Sequence, residues 1–369
     1  MRLFNPYYYY TIHLIVVSAL SLLCCMRLQR WPSANSIINR KSIDFFTLIY
    51  TLAFIVIVGL RPLHGAFGDM VTIAHTYDLF KTNPITIVGT RDSLFYYFQW
   101  SCAQVMEVEW FFLICEVLYV VPILIACYRF FKKNFDIGIL FFFAAFSFFS
   151  YATNGVRNGI ATSMVIMAAS FIQGKLSNKI VFAVLAIIAA NIHNSVTLPI
   201  LCLIVCYFFK LKRGLFVFWL ASIVISLLFG STVSNLFANL GFDDRLNQYI
   251  TAEVSEDLFS RTGFRWDFLL YSSIPVLFGY YLIYKKHNYY DSTYLLLLGT
   301  YILSNSFWIM VIRAEYSNRF AFLSWFLYPL VICYPLLKLK LWPKTQGNKA
   351  AMIMIAHLAF TLFMVFVLG

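Results

Sequence analysis

Five arginines stand beside long apolar stretches, and they are the first residues of this chain that could do chemistry. They are Arg61, Arg157, Arg265, Arg313 and Arg319. A guanidinium at such a position is costly without a partner, and its planar fork of donors matches two oxygens of a phosphate. Taken alone, each arginine is equally explained as an interfacial anchor or a structural ion pair. Five on one face favour binding of a diphosphate.

Arg157 has the strongest sequence context of the five. It lies in the segment TNGVRNGIA, where Asn154, Gly155 and Gly159 allow close approach of backbone. The segment joins two predicted helices and places Arg157 at the start of the second. Because the N-terminus of a helix attracts anions, we predict that Arg157 is the main contact to a diphosphate.

His193 is the histidine best placed for a reaction. It lies in AANIHNSVTLP, at the predicted tip of a hairpin between two apolar segments, with Asn194 and Ser195 beside it. A histidine exchanges protons near neutral pH or donates to a phosphate. The alternative is a residue that only caps a helix or forms a hydrogen bond at the membrane interface.

Carboxylates gather in the first long connection, at Asp69, Asp78, Asp92, Glu107 and Glu109. Asp69 follows Arg61 by eight residues in a turn flanked by glycine, so we predict that it acts as a base or orients a neighbouring group. A solvated acid in a loop explains its spacing equally well. The sequence contains no HExxH motif or histidine pair at metal spacing, and we therefore predict no metal and no cofactor.

Three aromatic residues are predicted to contact sugar rings: Tyr77, Tyr249 and Trp266. Aromatic residues are also common at the two interfaces of a membrane, where they contact lipid headgroups. Their side-chain type therefore leaves both interpretations open.

The composition shows what must position these residues. Of the 369 residues, 61% are hydrophobic and only 12% are charged, and the mean hydropathy is +0.77. One aqueous core cannot bury that much apolar surface, so we predict an all-α integral membrane protein that forms one polytopic domain over residues 1–369. The net charge of +12 is spread over loop ends, which argues against binding of nucleic acid.

Apolar segments and turn signals predict about twelve membrane spans. They lie near residues 8–26, 43–60, 109–127, 137–152, 158–173, 180–193, 195–209, 214–231, 267–284, 293–311, 320–337 and 351–368. The first continues into Met26 and Arg27 without a cleavage region, so we interpret it as a span rather than a signal peptide. Two outer connections are long, about 61–108 and 232–266, and the first contains a short apolar stretch, 94–106, predicted to be an interfacial or re-entrant helix.

Lysine and arginine are distributed differently over the connections. Thirteen of the fourteen lysines fall in one alternate set of connections, and nine of the fourteen arginines fall in the other set or near the N-terminus. By the positive-inside rule the lysine-rich set is cytoplasmic, so both termini and the five arginines are predicted to be outside.

Four short motifs, in this order, resemble the EpsG-like branch of the Wzy-type polysaccharide polymerases. They are Arg61 with Gly68, Asp69 and Tyr77; Arg157-Asn-Gly-Ile-Ala; Ala-Asn-Ile-His193-Asn-Ser; and Asn318-Arg319-Phe. The resemblance covers about residues 43–330. It departs from the family pattern after Arg61, where Pro62, Leu63 and His64 replace a more typical aromatic continuation.

The resemblance implies a glycosyltransferase of the bacterial inner membrane with a glycosyltransferase-C-like helical bundle. Its substrates would be glycan repeat units on undecaprenyl diphosphate, one as donor and one as acceptor, and a chain-length regulator is a further candidate partner beside membrane lipid. The product would be an O-antigen, capsule or exopolysaccharide. Arg157, Arg61 and Arg319 would hold the diphosphates. His193 would contact a phosphate or transfer a proton, and Asp69 would contact the acceptor hydroxyl or orient an arginine.

Three other functions use similar residues. A flippase for lipid-linked oligosaccharides would need charges near the middle of several spans, and apart from Glu116 the predicted spans carry few. A membrane O-acetyltransferase would need residues facing a cytoplasmic acyl donor. An O-antigen ligase shares the donor and the membrane face with a polymerase, and only the order of the motifs favours polymerisation.

Overall fold

The computed structural model describes residues 4–82, 91–209, 213–239, 263–287, 291–313 and 317–367, and these form helices and connections without a strand. The helices are α1 (Tyr9–Arg30), α2 (Ala34–Ile38), α3 (Phe45–Gly59), α4 (Met70–Thr82), α5 (Ser93–Ala103), α6 (Val108–Phe131), α7 (Phe135–Phe143), α8 (Phe148–Thr153), α9 (Val156–Ala169), α10 (Leu176–Ile192), α11 (Thr197–Phe208), α12 (Arg213–Asn239), α13 (Trp266–Tyr280), α14 (Ser292–Met310), α15 (Ser317–Trp325), α16 (Tyr328–Lys338) and α17 (Gln346–Phe366). Short 3₁₀ helices join some of them, and a π-helix, Tyr281–His287, follows α13.

Several helices are long and apolar enough to cross a membrane. Within the described ranges seven stretches meet this criterion: Pro6–Arg30, Val108–Phe143, Arg213–Gly230, Trp266–Lys285, Ser292–Met310, Arg319–Lys338 and Gln346–Phe366. Three shorter apolar helices are Phe45–Gly59, Leu176–Ile192 and Asn194–Phe208. The chain is therefore an all-α membrane protein, as predicted, whereas helix length alone supports seven spans rather than twelve.

Five predicted spans are not among the seven, and four of them correspond to helices of only 12–17 residues, α3, α9, α10 and α11. The fifth is interrupted by a break that hydropathy does not reveal. The predicted span at 137–152 consists of two short helices, α7 and α8, separated by residues 144–147. The stretch Val108–Phe143 turns at Lys132, whose φ of 54° lies in the left-handed region, and α7 then packs against α6. This turn falls in the connection predicted between the spans at 109–127 and 137–152. The predicted span at 320–337 also contains a break, between α15 and α16, but Arg319–Lys338 as a whole is one of the seven stretches.

The packing of the helices divides the chain into two units, and the first comprises residues 1–196 and 333–369. Helix α6 lies at its centre and packs against α3, α7 and α9, while α1 packs against α17 and α9 against α10. Buried hydrogen bonds connect these helices: His13 contacts the hydroxyl of Tyr50 and the carbonyl of Phe143, and Thr361 donates to the carbonyl of Ala144.

The second unit comprises residues 197–332, and α14 is its central helix. Helices α11, α12, α13 and α15 all contact α14. Polar side chains join them inside the apolar packing: Trp219 donates to Asn305, and Asn305 donates to Ser324. Hydrogen bonds between buried side chains of neighbouring helices specify which helix faces which. The prediction of one polytopic domain stays a prediction.

The first connection predicted to lie outside, 61–108, is largely helical in its described part. It contains α4 and α5, and α5 matches the predicted short helix. These two helices pack on each other, and the side chain of Gln99 in α5 donates to the carbonyl of Ile73 in α4. Of the second predicted connection, residues 232–239 continue α12, and residues 240–262 lie outside the described part.

Candidate functional site

Three distant segments of the first unit meet at one carboxylate, that of Asp92. Its Oδ2 accepts a hydrogen bond from Nδ1 of His193 at 2.9 Å and a second from Nη1 of Arg157 at 3.3 Å. Its Oδ1 accepts a bond from the backbone N–H of Asn194 at 2.7 Å. The imidazole and the guanidinium are therefore held side by side. We name Asp92, Tyr96, Arg157 and His193 the Asp92 cluster.

The local backbone explains how the carboxylate reaches both partners. Asp92 immediately precedes α5 but makes no capping bond with its side chain, and its φ of 62° and ψ of 28° are left-handed. Asp tolerates this region better than most residues, at a cost on the order of 1 kcal/mol. The carboxylate is thereby turned away from its own helix toward the start of α9 and the end of α10.

Tyr96 completes the cluster from the first turn of α5. Its hydroxyl accepts a hydrogen bond of 3.0 Å from Nη1 of Arg157, and the guanidinium carbon lies 5.6 Å from the centroid of its ring. Nη1 therefore makes both bonds, and Nε and Nη2 have no hydrogen-bond partner within the described residues. An arginine held by one nitrogen in this way keeps donors for a ligand.

The exposure of the three charged groups differs in a way that suits a binding site. The side chains of Arg157 and His193 are 17% and 19% exposed, whereas that of Asp92 is 9% exposed. Nε2 of His193 has no hydrogen-bond partner within the part of the chain that the structure describes. The carboxylate thus lies behind two groups that a ligand can reach.

The electrostatics keep Asp92 ionised. Burial opposes the charge on its carboxylate, but the hydrogen bond and charge of His193, the amide of Asn194 and the charge of Arg157 outweigh it, and together they lower the pKa of Asp92. An ionised carboxylate only accepts hydrogen bonds, so the imidazole must present its Nδ1–H to it. The lone pair of the neutral ring is then on Nε2, where it can take a proton.

Asp69 lies at the same end of the first unit as Arg157, beside the segment that precedes α9. Its backbone N–H donates to Oδ1 of Asn154 at 3.0 Å. The contact is close because the preceding residue is Gly68: a Cβ there would lie 2.0 Å from that oxygen, and its φ is +59°. The structure thus brings the predicted residues Asp69 and Arg157 to neighbouring segments, but the described contact is made by the backbone of Asp69.

Arg61 is buried, and its described partners are internal. It donates from Nη1 to the carbonyl of Val58 at 2.7 Å and from Nη2 to the carbonyl of Thr153 at 3.2 Å, and Glu116 Oε2 lies 4.0 Å from Nη1. Its guanidinium carbon also lies near the rings of Phe67 and Phe112. Arg61 therefore connects the ends of α3 and α8 to α6, and its predicted contact to a diphosphate stays a prediction.

The other three predicted arginines belong to the second unit. Arg265 forms a double hydrogen bond with Asp267, at 2.9 and 2.6 Å. Arg313 is exposed and lies over the ring of Phe264 at 5.8 Å, and Arg319 is half-buried in the first turn of α15. Two nitrogens of the Arg265 guanidinium thus already donate to Asp267. The predicted roles of Arg265, Arg313 and Arg319 in binding diphosphate stay predictions.

The three aromatic residues predicted to contact sugars differ in exposure. The ring of Tyr77 is fully buried and packs on Phe111, and its hydroxyl donates to the carbonyl of Met106, so in this structure it has no face open to a sugar. Trp266 is 60% exposed and contacts Phe264. Tyr249 lies outside the described residues.

The sequence pattern favoured Asp69 as the acid of the site, whereas the carboxylate that contacts both Arg157 and His193 is that of Asp92. Asp92 stands 65 residues from Arg157 and 101 from His193, and its position before α5 is typical of an ordinary helix cap. One signal was present: an arginine and a histidine with predicted roles need an anionic partner, and Asp92 is one of only five acids in that connection.

Taken together, the helices and the Asp92 cluster define a class of protein: a polytopic all-α membrane protein with an arginine, a histidine and a carboxylate joined at the ends of its helices. The model of the EpsG family matches residues 44–369. The chain belongs to the EpsG family, which confirms the resemblance, and membership suggests a polysaccharide polymerase role of the glycosyltransferase kind. No curated protein and no solved structure matches the chain.

Proposed function

We propose that this protein polymerises glycan repeat units carried on undecaprenyl diphosphate at the outer face of the bacterial inner membrane. The observation that supports this most directly is the shared oxygen of Asp92, which holds a proton acceptor and a phosphate-binding group side by side. Transfer of a glycan from a lipid diphosphate needs a proton acceptor for the attacking hydroxyl and a cation for the leaving diphosphate. Membership of the EpsG family supports the same reaction class.

In the proposed reaction, a hydroxyl oxygen of the acceptor unit attacks the anomeric carbon of the donor glycan. The new carbon–oxygen bond forms as the bond from that carbon to the diphosphate breaks, and the diphosphate leaves with the electron pair. The hydroxyl proton passes to Nε2 of His193, and Asp92 stabilises the resulting imidazolium. Arg157 contacts the departing diphosphate, where negative charge develops.

The surrounding architecture belongs to the same proposal. About twelve segments cross the membrane in a glycosyltransferase-C-like bundle, and both termini lie outside. Arg265, Arg313 and Arg319 contribute to binding of the two lipid diphosphates, Trp266 and Tyr249 contact glycan, and Asp69 orients the acceptor. Because Arg61 is buried, we assign it a positioning role between α3, α6 and α8. A chain-length regulator is the proposed protein partner.

The test is the length of the surface glycan in cells that lack this protein and carry either wild type or Arg157→Ala. We expect wild type to restore a ladder and Arg157→Ala to yield single repeat units, with the lipid-linked unit still reaching the outer leaflet. Arg129→Ala is the matched control, since Arg129 is also half-buried and bonded, in its case to Ser170, at the other end of the first unit. Equal protein abundance is checked by immunoblot.

Each competing function gives a different result. A normal ladder from Arg157→Ala would contradict the proposal. Lipid-linked units trapped in the inner leaflet would indicate a flippase. Full-length polymer that stays on its lipid carrier would indicate an O-antigen ligase.

A further inference from the structure

A cavity of about 360 Å³ lies at the opposite end of the first unit from the Asp92 cluster. Three arginines line it, Arg27, Arg30 and Arg40, together with the two carboxylates Asp44 and Asp136. Helix α1 ends at this cavity and α3 begins there, whereas α3 leads at its other end to Arg61, beside Thr153 and the start of α9. The 15 residues of α3 separate the two sites by about 22 Å.

The carboxylates hold two of the arginines in place. Asp136 accepts a hydrogen bond from Arg40 and is fully buried, and Asp44 contacts Arg27 at 2.5 Å. Arg30 is exposed and has no hydrogen-bonded or charged partner within the described part of the chain. Three guanidiniums and two carboxylates line the cavity, so its lining carries a net charge of +1. The guanidinium of Arg30 is available to bind a ligand.

The rim of the cavity is apolar and exposed. Phe45 and Phe46, at the start of α3, are 69% and 55% exposed, and Ile43 is 47% exposed. Large apolar side chains at the end of an apolar helix face acyl chains in a membrane, and arginines at the same level face headgroups. Trp31, whose ring lies 5.5 Å from the guanidinium carbon of Arg40, also lines the cavity.

We propose that this cavity binds the phosphate group of an anionic phospholipid, with Arg30 and Arg27 on the phosphate and Phe45 and Phe46 against the acyl chains. A basic pocket between membrane helices on the lysine-rich side is suited to such a headgroup. A free phosphate ion offers the same oxygens, but it would leave the apolar rim without a ligand. The lipid would hold the ends of α1 and α3 together.

The experiment compares lipid retention by the purified full-length protein in native mass spectrometry, with phosphatidylglycerol and phosphatidylcholine supplied in equal amounts. We expect wild type to retain phosphatidylglycerol preferentially and Arg30→Gln to bind it about tenfold more weakly, because one charge-assisted hydrogen bond is lost. Lys133→Gln is the matched control: Lys133 is an exposed cation at the same end of the unit and does not line the cavity.

Arg30→Gln is the informative variant because Arg30 is exposed and has no charged partner within the described residues. The substitution therefore leaves no described carboxylate buried without a counter-charge. Arg27→Gln is a second variant. We expect it to retain less phosphatidylglycerol than Arg30→Gln and to have a lower melting temperature than wild type, because Asp44 loses its partner. Equal retention by wild type and Arg30→Gln would overturn the proposal. A third arm adds inorganic phosphate: displacement of the lipid by millimolar phosphate would overturn phospholipid as the ligand, and no displacement supports it.

Discussion

At the scale of single residues, the central feature is that one oxygen of Asp92 accepts two hydrogen bonds. A carboxylate that contacts Nδ1 of a histidine determines which ring nitrogen carries the proton and stabilises the charged ring. The same oxygen contacts Arg157, so a change at Asp92 affects both groups. Asp92 is therefore a positioning residue, since nothing in the geometry requires it to touch a substrate.

Asp92→Asn is predicted to lower polymerisation by about 10- to 100-fold, because an amide of the same shape can present N–H to Nδ1 and favour the wrong tautomer of His193. Glycan chain length in complemented cells and the initial rate of chain growth in membranes measure this. Asp69→Asn is the comparison, and we expect a smaller effect because the carboxylate that accepts the bonds from Arg157 and His193 is that of Asp92. A larger loss with Asp69→Asn than with Asp92→Asn would refute this ranking.

At the scale of elements, the start of α9 is held by contacts that depend on glycine and on buried charge. Gly68 lets the turn before α4 approach Asn154, and Arg61 joins the carbonyl of Thr153 at the end of α8 to α3 and α6. These contacts hold the segment that precedes Arg157, and none of them involves the guanidinium of Arg157. The position of Arg157 therefore depends on residues that have no contact with it.

Gly68→Ala is predicted to destabilise the protein by about 1–3 kcal/mol, because φ at this residue is +59° and the new Cβ would overlap with Asn154. Gly65→Ala is the matched control three residues away, since a Cβ there meets nothing within 4 Å. Melting temperatures of the two variants in detergent measure the difference. Similar melting temperatures for the two would show that Asn154 moves aside at little cost.

The pair formed by Arg61 and Glu116 tests whether Arg61 acts on the substrate or on the fold. Arg61→Met alone leaves the Glu116 carboxylate buried and is predicted to cost about 3–5 kcal/mol of stability. The double variant Arg61→Met with Glu116→Met is predicted to regain part of the melting temperature and to synthesise long chains. A folded double variant that makes only single units would instead support direct contact of Arg61 with diphosphate.

At the scale of the whole molecule, the basic connections of the first unit meet at one end. Arg40 contacts Asp136, Asn134 donates to the carbonyl of Ile37, and Ala34 donates to the carbonyl of Pro343. Three of the connections that hold the predicted cytoplasmic lysines and arginines of this unit are thus brought together, while the Asp92 cluster lies at the other end. This separation is what the positive-inside rule requires of a protein whose chemistry is outside.

Cysteine labelling measures that orientation. Val105 lies before α6 and is 76% exposed, and Lys133 lies just after the end of α6. The 24 residues of α6 separate the two positions by about 36 Å. We expect a membrane-impermeant maleimide to label Val105→Cys in intact spheroplasts and Lys133→Cys only after permeabilisation. Wild type serves as the control, because all eight native cysteines are buried. Labelling of both variants from outside would contradict the predicted topology.

Much of the architecture follows from the sequence because burial in a membrane depends on composition over about twenty residues. The all-α class, most helix positions and the separation of lysine from arginine are all visible in local patterns. Arg157 and His193 also stand out locally, one in a glycine-rich segment and the other at a predicted hairpin tip. The break at 144–147 is not visible, since residues 144–146 are as apolar as their neighbours. The turn at Lys132, by contrast, lies in a short basic stretch between two predicted spans.

The sequence by itself determined which residues lie beside the membrane helices and which family they resemble. Only the tertiary structure decided that Asp92, and not Asp69, holds His193 and Arg157 together, and that Arg61 is buried beside Glu116. The physical reason is that hydropathy and helix signals act over short stretches of chain. A hydrogen bond between residues 65 or 101 positions apart depends on how the helices return past one another.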